Sequence, residues 1–329
     1  MTARKQREAF SPSREGFFLP GKDLLGIKDL SPEVITQILD LAQRLKQETG
    51  VPATRGTDLP LQGKTVINLF FEPSTRTRTS FELAARKLGA GVINMSPQTT
   101  SLTKGESLKD MVENLEAMHP DLIVVRHAAS GVPGLVAYYT KAGVINAGDG
   151  SHEHPTQALV DLFTVRKFLG KIAGLRVLVV GDLAYSRVAR SNIYGFSKMG
   201  AHVTAIGPAT LIPPGLEKLC AEVSTDFRGS LPKADVVMLL RIQRERQETL
   251  NFPSLAEYTR FYGLTKELLP LLKPGALIMH PGPINRGVEI DPEIADMREG
   301  NGGGRTVILD QVENATAVRM AVLSFWGKR

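Results

Sequence analysis

Residues 64–89 read KTVINLFFEPSTRTRTSFELAARKLG, three kinds of sequence laid end to end. The first, Lys64–Phe71, is a short apolar run rich in Val, Ile and Phe, as a buried strand requires. The last, Ser80–Gly89, sets Phe81, Ala84, Ala85 and Leu88 on one helical face. It ends at glycine, the residue that accepts the left-handed turn closing many helices. Between them, Ser74–Thr79 is expected to be the connecting loop and helix entrance. Free N–H groups at a helix start, and the positive end of its dipole, attract anions. Ser74, Thr75, Thr77 and Thr79 add hydroxyl donors, and Arg76 and Arg78 add planar forks matched to phosphate oxygens. A capped surface loop whose arginines merely form ion pairs is the plainer alternative. Two arginines beside the cap at a strand-to-helix turn weigh toward phosphate.

The same alternation extends outward in both directions. GAGVINM (89–95), DLIVVRH (121–127) and VINAGDG (144–150) read as strands. SLKDMVENLEAMH (107–119) and VPGLVAYYTKAG (132–143) read as the helices between them. Upstream, LSPEVITQILDLAQRLK (30–46) offers Ser31 as N-cap and Pro32 at the first helical position. A second series follows His154. Helices are expected at 156–170, 187–200 and 213–223, and strands at 175–182, 202–208, 234–241 and 276–282. The helix NATAVRMAVLSFW (314–326) closes the chain. This is a βαβ succession, so the expected class is α/β: two domains, each a mostly parallel sheet flanked by helices. The expected division is a flexible arm over 1–20, a first domain of 21–154 plus 311–329, and a second of 155–310. The C-terminal helix would return to the first domain. Ligands of such sheets sit beyond the carboxyl ends of the strands.

Composition bounds the rest. A chain of 329 residues, 42% of them hydrophobic, is long enough for more than one core. No apolar run approaches the roughly 20 residues that span a bilayer, and the basic start lacks a secretory h-region, so no membrane association is expected. A single cysteine, Cys220, rules out an internal disulfide framework and fits a reducing cytoplasm. The net charge of +6 favours anionic ligands. No dense basic block interleaved with aromatics points to nucleic acid.

Three tempting motifs fail. Gly63-Lys64-Thr65 precedes a strand and lacks the upstream glycine of a phosphate-binding P-loop. VLVVGDLAYSR (177–187) has the setting of a nucleotide-binding turn without its Gly-x-Gly-x-x-Gly, and the next strand ends without a ribose-binding acid, which argues against a nicotinamide dehydrogenase. His152-Glu153-His154 has no partner cluster at metal-ligand spacing, and a capping histidine is the expected reading.

The segments FFEPSTRTRTSFE and HPTQALVDL resemble the aspartate/ornithine carbamoyltransferase family, whose Ser-Thr-Arg-Thr-Arg core binds carbamoyl phosphate. Further matches follow in order: SLTKGES, VVRH, GDLAYSRVARSN, LLRIQRER and MHPGPINRGVEI. The His-Cys-Leu-Pro and Ser-Met-Gly segments of ornithine enzymes are absent, and arginines stand where the second substrate sits. The resemblance therefore implies aspartate as acceptor, in the committed step of pyrimidine biosynthesis, with ornithine or another amino acid as the alternative.

By resemblance, Ser74, Thr75, Arg76 and Thr77 hold the phosphate, and Arg126 reaches both phosphate and carbonyl oxygen. His154 and Thr77 donate to that carbonyl oxygen. Gln157 and the backbone carbonyls near Pro281 and Gly282 take the carbamoyl NH2. Gly282 replaces a leucine seen in some members, which is expected to leave that backbone contact intact. Aspartate's carboxylates fall to Arg187, Arg241 and Gln243. Glu72 would bridge to Arg187 and Arg246 on domain closure. Ser101 and Lys104 would reach into a neighbouring subunit's site, Lys104 touching both substrates, which implies a homotrimer with shared sites. Family members also occur with regulatory chains or with dihydroorotase. No cofactor or metal is implied.

Overall fold

The computed structural model describes residues 21–48, 59–96, 105–243, 254–297 and 303–327. Ser101, Lys104, Arg246 and the arm over 1–20 lie outside them. Helix α1 (Pro32–Glu48) precedes the first alternating series: β1 (Thr65–Phe70), α2 (Thr75–Lys87), β2 (Gly91–Met95), α3 (Leu108–Glu116), β3 (Leu122–His127), α4 (Val132–Tyr139) and β4 (Gly143–Asp149). Helix α5 (Pro155–Leu169) leads into the second series. That series runs β5 (Arg176–Val180), α6 (Arg187–Lys198), β6 (His202–Ile206), β7 (Glu222–Ser224), α7 (Phe227–Ser230), β8 (Val236–Leu239), α8 (Leu255–Tyr262), β9 (Ala276–Met279), α9 (Pro292–Asp296), β10 (Gly304–Thr306) and α10 (Ile308–Gly327).

The strands form two parallel sheets, ordered β2-β1-β3-β4 and β10-β9-β8-β5-β6-β7. Strand pleating sends alternate residues to opposite faces. Val66 and Phe70 of β1 enter the main core with α1, α2, α5 and α10, while Ile67 and Leu69 meet α3 and α4. In β5, Val177 and Val179 join that same main core, and Leu178 and Val180 a separate cluster with Phe227 and Leu268. Both sheets are thus covered on both faces. Among the described residues, no helix is long and apolar enough to cross a membrane.

Each strand order reverses once, between β1 and β3 in the first sheet and between β5 and β8 in the second. At such a point the following loops part to opposite faces and leave a crevice beyond the carboxyl ends. Phe70 pairs with Arg126 across the first reversal, and Val180 with Leu239 across the second.

The long closing helix α10 begins at Ile308, earlier than its apolar run suggests. It returns along α1, α2 and α5, with Lys46 paired to Glu313 and Asn314 donating to Thr164 at 2.9 Å. Two local readings change. Residues 213–223 hold a single 3-10 turn, Leu216–Lys218, and β7 in place of a helix; Gly215 turns left-handed there, and Glu222–Ser224 pair with β6. Helix α2 starts at Thr75, so Ser74–Thr79 is a cap and first turns, not a loop. Its far end matches expectation: Gly89 has φ +84°, and a Cβ there would lie 2.9 Å from that of Leu59.

Candidate active site

The two reversal points open onto one cleft of about 600 Å³. The first sheet brings Glu72, Thr75, Arg76 and Thr77 from beyond β1, and Arg126 from the end of β3. The second brings Arg187 from the start of α6, Arg241 and Gln243 from beyond β8, and Pro281 and Gly282 from beyond β9. His154 and Gln157, at the start of α5, complete the wall. Every described candidate except Ser74 and Arg78 therefore meets in one cavity. Ser74 is the N-cap of α2 and makes no capping hydrogen bond through its side chain.

Helical geometry sorts the hydroxyl-and-guanidinium run. Residues two apart on a helix diverge by about 200°. Arg76, with Ser80 and Leu83 four and seven positions on, faces the cleft and Arg78 does not, while Thr75, Thr77 and Thr79 line it at the helix entrance. The pKa of Arg76 is lowered by desolvation in the cleft and by the positive charge of Arg241. Two guanidiniums held this close across an open space favour an anion between them.

Glu72 is the one carboxylate among the described wall residues, against five arginines. Its carboxylate forms ion pairs with Arg126, Nε lying at 3.2 Å, and with Arg187 Nη2. Sequence reading did not foresee the Arg126 partner. Arg187 is only 5% exposed; it also donates to the His127 carbonyl at 3.4 Å, and Arg126 donates to that of Ala147 at 3.3 Å. Arg241 donates to Gln243 Oε1 at 3.3 Å. The backbone that carries both is pinned by buried carboxylates: Gln243 N–H donates to Asp182 at 3.0 Å, and Ile242 N–H to Glu289 at 3.0 Å.

His154 is buried, and burial holds its pKa well below the ordinary histidine value; the charges of Arg126, Arg319 and Arg187 push the same way. It is therefore neutral at neutral pH and able to donate one hydrogen bond without carrying a proton to transfer. It caps α5 in position only, with no capping hydrogen bond from its side chain.

Among the wall residues to which the sequence motifs assign no role are Arg319, Gln311 and His280. Arg319 of α10 is 2% exposed, donates to Ser80 Oγ and lies over the Phe81 ring at 5.0 Å. Burial lowers its pKa to about 9. The sequence signal was present, since Arg319 is the one charged residue within the apolar stretch AVRMAVLSFW. Gln311 donates to Asp161 at 2.8 Å and accepts from His280 N–H at 3.0 Å. His280 Nδ1 accepts from Gly282 N–H at 2.8 Å.

Family models match nearly the whole chain: "Aspartate/ornithine carbamoyltransferase, carbamoyl-P binding domain" over residues 22–167, and the "Asp/Orn binding domain" of the same family over 173–326. The chain belongs to the aspartate/ornithine carbamoyltransferase family. Among similar family members is the aspartate carbamoyltransferase catalytic subunit of Syntrophotalea carbinolica, 53% identical over 303 residues, 92% of this chain and 94% of that one. The subunit of the same name from Sorangium cellulosum is 54% identical over 309 residues, 92% of each chain. Among solved structures, the ornithine carbamoyltransferase of Pyrococcus furiosus has a TM-score of 0.80 at 30% identity, covering 93% of this chain and 96% of that one. The catalytic subunit of M. jannaschii aspartate transcarbamoylase gives 0.77 at 34% identity, covering 92% and 97%.

Proposed function

We propose that the chain is an aspartate carbamoyltransferase: it moves the carbamoyl group of carbamoyl phosphate to the α-amine of L-aspartate, giving N-carbamoyl-L-aspartate and phosphate. This is a transferase reaction and the committed step of pyrimidine biosynthesis. The observation that carries it is the opposition of arginines across one cleft, Arg76 on the first sheet's helix and Arg187 and Arg241 beyond the strands of the second. That spacing suits a phosphate on one side and a diacid on the other. An ornithine side chain, being cationic, would meet the same arginines unfavourably. The most similar relatives described above carry the aspartate name.

The neutral amine attacks the carbonyl carbon, a C–N bond forms, and the tetrahedral oxyanion collapses as the C–O bond to phosphate breaks, the amine's proton leaving with the phosphate. No covalent link to the protein is required, so catalysis is positioning and charge stabilisation. Thr75, Arg76 and Thr77 hold the phosphate at the start of α2, with Ser74 at its cap. Arg126, Thr77 and the neutral His154 donate to the developing oxyanion. Gln157 and the Pro281–Gly282 carbonyls accept from the carbamoyl NH2. Arg187, Arg241 and Gln243 bind the two carboxylates, and Glu72 locks Arg187 to the first domain.

The reading extends to assembly. Its first domain comprises 21–154 plus 311–329 and its second 155–310, closing on substrate with Glu72 and Arg246 in the latch. Leu83 and Ile93, 46% and 50% exposed on α2 and the edge strand β2, support a covered face there. A homotrimer places Ser101 and Lys104 of each subunit in its neighbour's site, in the cytoplasm, with a regulatory chain or dihydroorotase as further partners.

The test supplies carbamoyl phosphate with aspartate, ornithine and other amines in turn and identifies the product. N-Carbamoyl-aspartate is the expected product. Carbamoylation of ornithine alone, or none, refutes the reading.

A further inference from the structure

Asp161 is fully buried one turn beyond Gln157 on α5 and is not part of the cleft wall. Three side-chain amides converge on it. Gln157 and Gln311 donate to Oδ1 at 2.9 and 2.8 Å, and Asn192 donates to Oδ2 at 2.8 Å. An ionised carboxylate only accepts, so each glutamine must turn its NH2 toward Asp161 and its oxygen away. For Gln157 this leaves the oxygen to the cleft. For Gln311 the oxygen accepts His280 N–H, and His280 in turn takes Gly282 N–H. One buried carboxylate thus orients both the Gln157 amide and the backbone of the 280–282 turn.

We propose that Asp161 is a positioning residue that makes this corner of the cleft an array of acceptors, and so selects a transferable group bearing N–H over one of the same shape bearing a methyl. The inference rests on the carbamoyl-transfer reading and deepens it. Asp161 touches no substrate; it acts through Gln157 and Gln311. A corner lined with fixed acceptors discriminates strongly, because a ligand lacking the donor leaves buried oxygens unpaired. Burial raises the pKa of Asp161 to about 6, opposed by its three amide donors and by Arg319 of α10, the charged group that bears on it. Near neutral pH it is mostly ionised.

Acetyl phosphate is the probe, since it keeps the phosphate and replaces NH2 by CH3. Two quantities are measured: kcat/KM for carbamoyl phosphate and the inhibition constant of acetyl phosphate. In Asp161→Leu the glutamine amides lose their anchor, and kcat/KM for carbamoyl phosphate falls roughly 10- to 100-fold while acetyl phosphate binding moves by less than about threefold. In Asp161→Asn one oxygen still receives both glutamines, and Asn192 turns its own amide to match, so the selectivity is retained. A parallel loss for both phosphates in Asp161→Leu, or an unchanged ratio, overturns the inference. Should Asp161→Leu fail to fold, Asn192→Ala decides. Removing that donor moves the acid limb of kcat/KM for carbamoyl phosphate to higher pH and leaves acetyl phosphate inhibition where it was; no movement of the limb overturns the inference. A wild-type protein that makes no N-carbamoyl product refutes the underlying function instead, so the two failures are distinct.

Discussion

Gly282 lies against the guanidinium of Arg76 so closely that a Cβ on the glycine would fall 2.0 Å from Nη1. The two residues come from opposite sheets, and Gly282 has φ +65°, where a side chain is itself strained. The obstructed atom is the tip of a flexible side chain, so the arginine and not the fold must yield. Gly282→Ala is therefore expected to cost only about 1–2 kcal/mol of stability, while displacing Arg76 from its place in the cleft. The KM for carbamoyl phosphate should rise about tenfold, the equivalent of roughly 1.4 kcal/mol of lost binding. Steady-state kinetics beside denaturant unfolding checks both halves.

Glu72 ties together Arg126 and Arg187, which belong to different sheets. Glu72→Ala removes the tie from a side chain at the cleft wall, and the fold should tolerate it. Turnover is expected to fall and the KM for aspartate to rise, each about tenfold or more, the scale of one charge-assisted pair. Unchanged aspartate affinity and turnover would remove Glu72 from the mechanism.

Arg241→Lys keeps the charge and loses the planar fork. If a carboxylate sits on that fork, the KM for aspartate should rise about 10- to 100-fold, with carbamoyl phosphate affinity little altered. A lysine variant indistinguishable from wild type would place the carboxylate elsewhere.

His280 is buried, and burial, reinforced by the charges of Arg76 and Arg241, lowers its pKa from 6.5 to about 3. Between those values the unfolded chain binds a proton that the folded protein refuses. Stability contributed by this residue is therefore complete above pH 6.5 and lost as pH falls toward 3, with a limiting slope of about 1.4 kcal/mol per pH unit. His280→Asn offers an oxygen to Gly282 N–H in place of Nδ1 and does not titrate. Urea unfolding at pH 7.5 and 5.5 should show a smaller acid loss in the variant than in the wild type.

Shared sites would make two dead chains complement one another. Lys104→Ala and Arg76→Ala subunits, each inactive alone, should regain part of the wild-type activity when dissociated and reassembled together. Assay before and after mixing measures it, and no recovery would place Lys104 within its own subunit's site.

The parallel α/β architecture was legible because its signals are local. Apolar runs of strand length and amphipathic runs of helix length depend on nearest neighbours, and the arginines at strand ends stood out as charge directly after apolar sequence, as at Arg126 and Arg241. Local signals also misled. Residues 213–223 have helical composition, yet pairing with β6 draws Glu222–Ser224 into the sheet. Helix α8 was announced by Ser254 and Glu257, a capping spacing that passed unread, and Ser254 does accept from Glu257 N–H at 3.1 Å.

By itself the sequence determined the two alternating series, the helix entrance at Ser74–Thr77 and the family, since each is written in contiguous residues. Only the tertiary structure decided that Arg76 and not Arg78 enters the cleft, that α10 carries Arg319 and Gln311 back to α2 and α5, and that Asp161 accepts from three side-chain amides. These depend on helix phase and on contacts between residues as far apart as Ser80 and Arg319. Such contacts form when buried surfaces from distant segments are pressed together, and no short stretch of chain encodes them.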